Sequence, residues 1–133
     1  MKVEFDNSLV TGNAMIDEQH KELIGKIDKL VACCEEGGGK VEAIKMLDYL
    51  SDYTDFHFGE EEKLQEEVSY PAIEVHKAKH AEFKKSVEEL HEMLVEEEGP
   101  TDAFVAAVQK NVVDWLFDHI KNMDQALAAY VQK

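Results

Sequence analysis

Arginine is missing altogether: the 14 basic residues of this 133-residue chain are all lysines, set against 29 acidic residues. The formal net charge of −15 leaves no basic face for the phosphates of a nucleic acid and disfavours an anionic membrane surface. No apolar run approaches the roughly 20 residues that a membrane span needs. The N-terminal stretch Met1-Lys2-Val3-Glu4-Phe5-Asp6 lacks the apolar core of a signal peptide, so a cytoplasmic protein is expected. Cysteine is scarce as well. Cys33 and Cys34 are adjacent, a spacing that strains a disulfide, and no second pair completes a C-x-x-C zinc knuckle. Cys34 falls on an apolar stripe and reads as a small buried hydrophobe, which leaves Cys33 as the thiol open to reaction.

The few helix breakers that are present cluster. Gly37-Gly38-Gly39, Ser69-Tyr70-Pro71 and Gly99-Pro100 divide the chain, and Pro71 suits the first turn of a helix. Between the breaks, apolar residues recur at helical spacing. Ile16, Leu23, Ile24, Ile27, Leu30 and Val31 mark the first stripe, and Leu47, Leu50, Phe58 and Leu64 the second. Ile73, Phe83, Val87, Leu90 and Leu94 mark the third, and Val105, Val108, Val112 and Leu116 the fourth. A single domain over 1–133 is expected, with an extended arm over 1–15 and helices over about 16–36, 41–68, 71–97 and 102–121, then a short one over about 122–131. Short connections make successive helices antiparallel neighbours, so the fold class is all-α, an up-down-up-down four-helix bundle.

Histidine intrudes on those stripes. His20, His57, His76, His80 and His119 occupy core positions, accompanied by Glu61 and Asp124. Spacings of four residues, His57 to Glu61 and His76 to His80, put each pair on one helical face. Counted from the triple-glycine break, His20 and His57 lie 18 and 19 residues away, and counted from the Gly99-Pro100 break, His80 and His119 each lie 19 away. Antiparallel neighbours therefore carry these groups at one height. Asp124 follows His119 by five residues, about 140° on a straight α-helix, so a π-bulge or a helix end is required near Lys121-Asn122-Met123. His91, 11 residues beyond His80, lies too far along the helix to join. Buried imidazoles and carboxylates without partners would each cost several kcal/mol. A metal relieves that cost: imidazole with carboxylate suits iron, zinc, copper or nickel, and seven donors suggest two ions bridged by the carboxylates.

The stretch Ile16-Asp17-Glu18-Gln19-His20-Lys21-Glu22-Leu23, the His57-Phe58-x-x-Glu61 pair, the His76-x-x-x-His80 pair and His119-Ile120-x-x-x-Asp124 follow one another along nearly the whole chain. In that order they resemble the haemerythrins, specifically the single-domain bacterial ones. The resemblance implies a non-haem di-iron centre that binds O2 reversibly. One iron would be held by His76, His80 and His119 and the other by His20 and His57. Glu61, Asp124 and an oxo or hydroxo group would bridge them. Ile24, Phe58, Trp115 and Leu116 would line a dry O2 pocket. Oxygen storage, delivery or scavenging follows as the expected role, without catalysis, by a monomer that could hand O2 to a consuming partner. The competing roles are an O2- or redox-sensing module and a di-iron enzyme acting on O2, peroxide or NO. Relatives of this kind often carry Trp where this chain has Phe5, a difference expected to bear on how the arm packs.

Overall fold

Asn13 starts the first helix. Its side chain accepts from the backbone N–H of Ile16 at 3.1 Å, and the next acidic residue, Asp17, folds the preceding arm back by accepting from Thr11 N and Gly12 N. The computed structural model describes residues 3–97 and 99–132. Its helices are α1 (Ala14–Glu35), α2 (Lys40–Glu67), α3 (Ile73–Glu96) and a fourth, composite helix. The composite helix runs through α4 (Asp102–Val108), π-helical Gln109–Asp114, α5 (Trp115–His119), π-helical Ile120–Asp124 and α6 (Gln125–Val131). Backbone angles stay right-handed helical at each of its junctions. The change of geometry required between His119 and Asp124 is thus met by a π-helical turn, and the division expected near residue 121 is not a helix end.

Each connection has an identifiable cause. Both α1 and α2 end in the same left-handed motif. After α1, Gly37 has φ of 76°, and Gly37 N and Gly38 N return to Cys34 O and Cys33 O. After α2 the equivalent place is taken by Ser69, at φ of 53°, with Ser69 N and Tyr70 N returning to Glu66 O and Gln65 O. Pro71 and Ala72 form a turn before α3, so that helix begins two residues later than the proline suggested. Thr101 caps the fourth helix by accepting from Phe104 N. The arm carries a short 3-10 turn, Asn7–Leu9, pinned by the fully buried Leu9 and by Gln125 Nε2 donating to Ser8 O. Phe5, half-buried, packs its ring under Lys21.

Consecutive helices pack side by side, and α1 meets α4, which closes an antiparallel four-helix bundle. Leu23, Ile27, Leu30, Leu47, Leu50, Leu90 and Leu94 fill the half nearer the triple-glycine turn. The other half, toward the Ser69-Tyr70 turn, holds polar side chains that are just as buried. Cys34 corrects the sequence expectation: it is only half-buried, because the stripe reaches the end of α1 where the chain turns away. Burial pushes its thiol up to about 11, and burial together with Glu42 and Glu36 also raises Cys33, so neither cysteine is an activated nucleophile. No described helix is long and apolar enough to cross a membrane.

Candidate metal centre

His20, His57, Glu61, His76, His80, His119 and Asp124 all point into the interior of the bundle, and none is more than 4% exposed. They sort into two overlapping groups: Glu61, His76, His80, His119 and Asp124 in one, and His20, His57, Glu61 and Asp124 in the other. The two carboxylates belong to both because each divides its oxygens. Glu61 Oε1 lies 2.7 Å from His76 Nε2 and 3.2 Å from His80 Nε2, whereas Glu61 Oε2 lies 3.1 Å from His57 Nε2. Asp124 Oδ1 lies 2.9 Å from His76 Nε2 and 3.3 Å from His119 Nε2, whereas Asp124 Oδ2 lies 3.0 Å from His20 Nε2. The π-helical turn is what brings Asp124 round to this position.

These distances do not add up to a hydrogen-bonded core. All the oxygens of Glu61 and Asp124, and the Nε2 atoms of His20, His57 and His80, are buried without a hydrogen-bond partner of acceptable angle. His76 Nε2 and His119 Nε2 face each other at 3.0 Å. Such an arrangement fits lone pairs aimed at a common point. A six-coordinate ion with bonds of about 2.1 Å holds neighbouring donors about 3.0 Å apart, close to the spacings seen. Imidazole and carboxylate are also the donor set of iron and its first-row neighbours. The residues present therefore fit two metal ions, one with five protein donors and one with four.

Outer groups fix the imidazoles. His57 Nδ1 donates to Gln19 Oε1 at 2.8 Å, and His80 Nδ1 donates to Glu62 Oε2 at 2.8 Å. Each proton on Nδ1 leaves a lone pair on Nε2, the atom that faces the cluster. Gln65, fully buried, sets its amide 2.8 Å from His76 Nδ1 while its Oε1 has no partner. Turning that amide over satisfies the oxygen and gives His76 the same tautomer. Glu62 and Gln65 were not legible as functional from the sequence. Gln65 sits on the buried face of α2 one turn beyond Glu61, and a glutamine there is the one available signal. Phe58 stacks on His80 at 3.7 Å with planes 2° apart, and Trp115 stacks on His119 at 4.6 Å and 12°.

Electrostatics oppose one another inside the cluster. Burial and the neighbouring Asp124 both raise Glu61, but the close imidazoles of His57, His76 and His80 prevail and hold it at about 2. Burial likewise raises Asp124, and His119, His20 and His76 bring it well below the usual carboxylate range. Burial lowers His76, yet Asp124 and Glu61 lift it to about 9. Both carboxylates thus want cations beside them, whether protons or metal ions.

Of the expected pocket residues, Phe58 and Trp115 lie against imidazoles of the cluster. Ile24, Phe58 and Leu116 are buried, whereas Trp115 is half-exposed, its Nε1 donating to Glu82 Oε1 at 2.9 Å. His91 lies apart, half-exposed and 3.7 Å from Asp48.

Comparison with known proteins agrees with the geometry. The family model "Hemerythrin HHE cation binding domain" matches residues 11–131. A bacteriohemerythrin of Stenotrophomonas maltophilia is 31% identical over 128 residues, which cover 96% of this chain and 80% of that protein. One from Pseudomonas aeruginosa is 32% identical over 127 residues, 96% of this chain and 78% of that protein. The crystal structure of a hemerythrin point mutant superposes with a TM-score of 0.79 at 26% identity, over 92% of this chain and 91% of that one. With a matching bundle and a buried histidine–carboxylate cluster able to hold metal, the chain belongs to the haemerythrin family.

Proposed function

We propose that the chain binds O2 reversibly at a non-haem di-iron centre, serving oxygen storage, delivery or scavenging without catalysing a reaction. The observation that carries this reading is the unequal division of donors. His76, His80 and His119 would hold one ion and His20 and His57 the other, with Glu61 and Asp124 spanning both and an oxo or hydroxo group completing the bridge. The ion with fewer protein donors would keep a position for a ligand. Two ferrous ions, when bound, supply the electrons for reversible O2 binding.

The chain's own residues do the rest. Gln19 and Glu62 hold their imidazoles in one tautomer, so no proton has to leave Nε2 when metal is present. Ile24 lies one turn from His20, and Leu116 lies close before His119; both are buried and apolar. With Phe58, whose ring stacks on His80 and lies 5.8 Å from that of His57, they would exclude water and protons from the cluster. Trp115, stacked on His119, covers one face of that imidazole.

The test is a visible spectrum of the reduced, iron-loaded protein with and without O2. A coloured form that bleaches under vacuum is expected. Irreversible oxidation with turnover of peroxide would move the reading to an enzyme, and a protein that accepts zinc but no iron would end it.

A further inference from the structure

A stripe of aromatic side chains runs along the outside of α2, and only its middle member, Tyr53, packs against the core, while the two that flank it face solvent. Tyr49, Tyr53 and Phe56 follow at spacings of four and three, so they share one face. Tyr49 is 54% and Phe56 52% exposed, while Tyr53 is half-buried with its ring 5.7 Å from that of Phe56. Lys26 reaches across from α1, its Nζ 5.6 Å from the Tyr53 ring centre, and these residues with Asp52 line a surface cavity of about 300 Å³. Solvent-facing tyrosine and phenylalanine around a cavity are what interface cores are made of, and a solvated helix face does not need them.

We propose that this stripe is the docking surface for a basic protein that presents an apolar anchor ringed by lysine or arginine. The charge around the stripe selects that occupant. Glu18 and Glu22 act on Tyr53 from α1, and Asp52 borders the cavity on α2. Lys26, which lies against the Tyr53 ring, is paired with Glu22 at 3.4 Å, and Lys21 is paired with Glu18 at 3.3 Å, so each lysine here is matched by a glutamate and Asp52 tips the balance to negative. A second copy of the chain is the wrong partner, since a two-fold pairing sets the same acids against each other on a chain of net charge −15. Tyr53 precedes His57 by one turn, and Gln19, which holds His57, lies between Glu18 and Glu22 on α1. A partner docked here sits over the four-donor half of the cluster. That link to O2 delivery rests on the proposed function, whereas the docking surface itself does not.

The test uses the full chain, with and without iron, and a fluorescein-labelled amphipathic helix of leucine and lysine as probe. A polylysine peptide and a leucine–glutamate helix serve as controls. The leucine–lysine helix is expected to bind whether or not iron is present. Tyr49→Ser with Phe56→Ser should weaken it roughly 10–100-fold, leave polylysine binding unchanged, and keep the circular dichroism and Tm of the parent. Glu22→Lys with Asp52→Lys should turn the preference toward the leucine–glutamate helix. Equal binding by parent and aromatic variant overturns the proposal. So does sedimentation showing that the parent self-associates and the aromatic variant does not, since a second copy then covers the stripe. Binding that persists while the iron-loaded protein fails to take up O2 leaves the docking surface standing and removes its functional link.

Discussion

At the level of single residues, the metal-free protein should carry its pH sensitivity in the cluster. Glu61 has its folded pKa lowered from 4.5 to about 2, so the stability it contributes is present above 4.5 and is lost as pH falls through 2. His76 is raised from 6.5 to about 9, so its contribution is complete below 6.5 and disappears as pH rises through 9. The metal-free Tm is therefore expected to peak between about pH 4.5 and 6.5 and to decline toward 9. A bound ion takes the place of the proton between imidazole and carboxylate, so metal loading should flatten the alkaline limb. A thermal-melt series across pH with and without metal reads both effects, and an apo Tm that climbs from pH 6.5 to 9 would contradict the assignment. Leu116 offers a second residue-scale test. It is fully buried three residues before His119, and Leu116→Asn puts a polar group there that can draw water in. Autoxidation of the O2-bound protein, followed by loss of colour, should then accelerate roughly tenfold or more, since about 1.4 kcal/mol of lost protection suffices for that. The seven cluster residues could be placed from the sequence because charge on an apolar stripe is costly and therefore conspicuous. Glu62 could not, because it lies at the edge of the helix face, in a run of three glutamates where a solvated role is the ordinary one.

Whole elements were legible where a physical necessity left a mark in the chain. The break at Gly37 is such a mark, since its left-handed φ is the one glycine adopts without strain. The equivalent position after α2 is Ser69, and nothing in a serine announces a left-handed cap. Ser69→Gly should accordingly stabilise the protein by about 0.5–1 kcal/mol, the cost of a side chain at positive φ less the added freedom of glycine when unfolded. The midpoint of urea unfolding reports it, and an unchanged or lowered midpoint would show that the side chain contributes something the cap geometry does not reveal. The π-helical turn at Ile120–Asp124 was foreseeable from the five-residue spacing, whereas the second one at Gln109–Asp114, whose carboxylate Asp114 is exposed and apart from the cluster, left no such trace. A π turn holds one residue more than an α turn. Deleting Asn122 should therefore restore ordinary helix with Asp124 still aimed at the cluster, and metal analysis should return two ions per chain. Inserting an alanine after Asn122 turns Asp124 by about 100°, and the bound metal should fall to one ion or fewer. Two ions retained in the insertion variant would mean that Asp124 is not a ligand.

For the molecule as a whole, the fold and the site make opposite demands. The half of the bundle near the triple-glycine turn is ordinary apolar packing, which stabilises whatever the ligand state. The other half buries four carboxylate oxygens and several imidazole nitrogens without hydrogen-bond partners, so it stabilises only when something occupies it. Apolar burial must carry the folded state until metal arrives, and metal must then relieve the buried charge. Occupancy at 1,000 times Kd adds about 4 kcal/mol to the native state. In a domain of this size that corresponds to a rise in Tm on the order of 10 °C. Fluorescence gives an independent view of the same event, because the chain has one tryptophan, Trp115, stacked 4.6 Å from His119. Anaerobic titration of ferrous iron into the metal-free protein should quench that fluorescence and raise Tm together, both saturating at two ions per chain, and chelation should reverse both. Quenching and a gain in Tm that both saturate at one ion would mean that only the five-donor half binds and that the buried charge of the other half is relieved by protons.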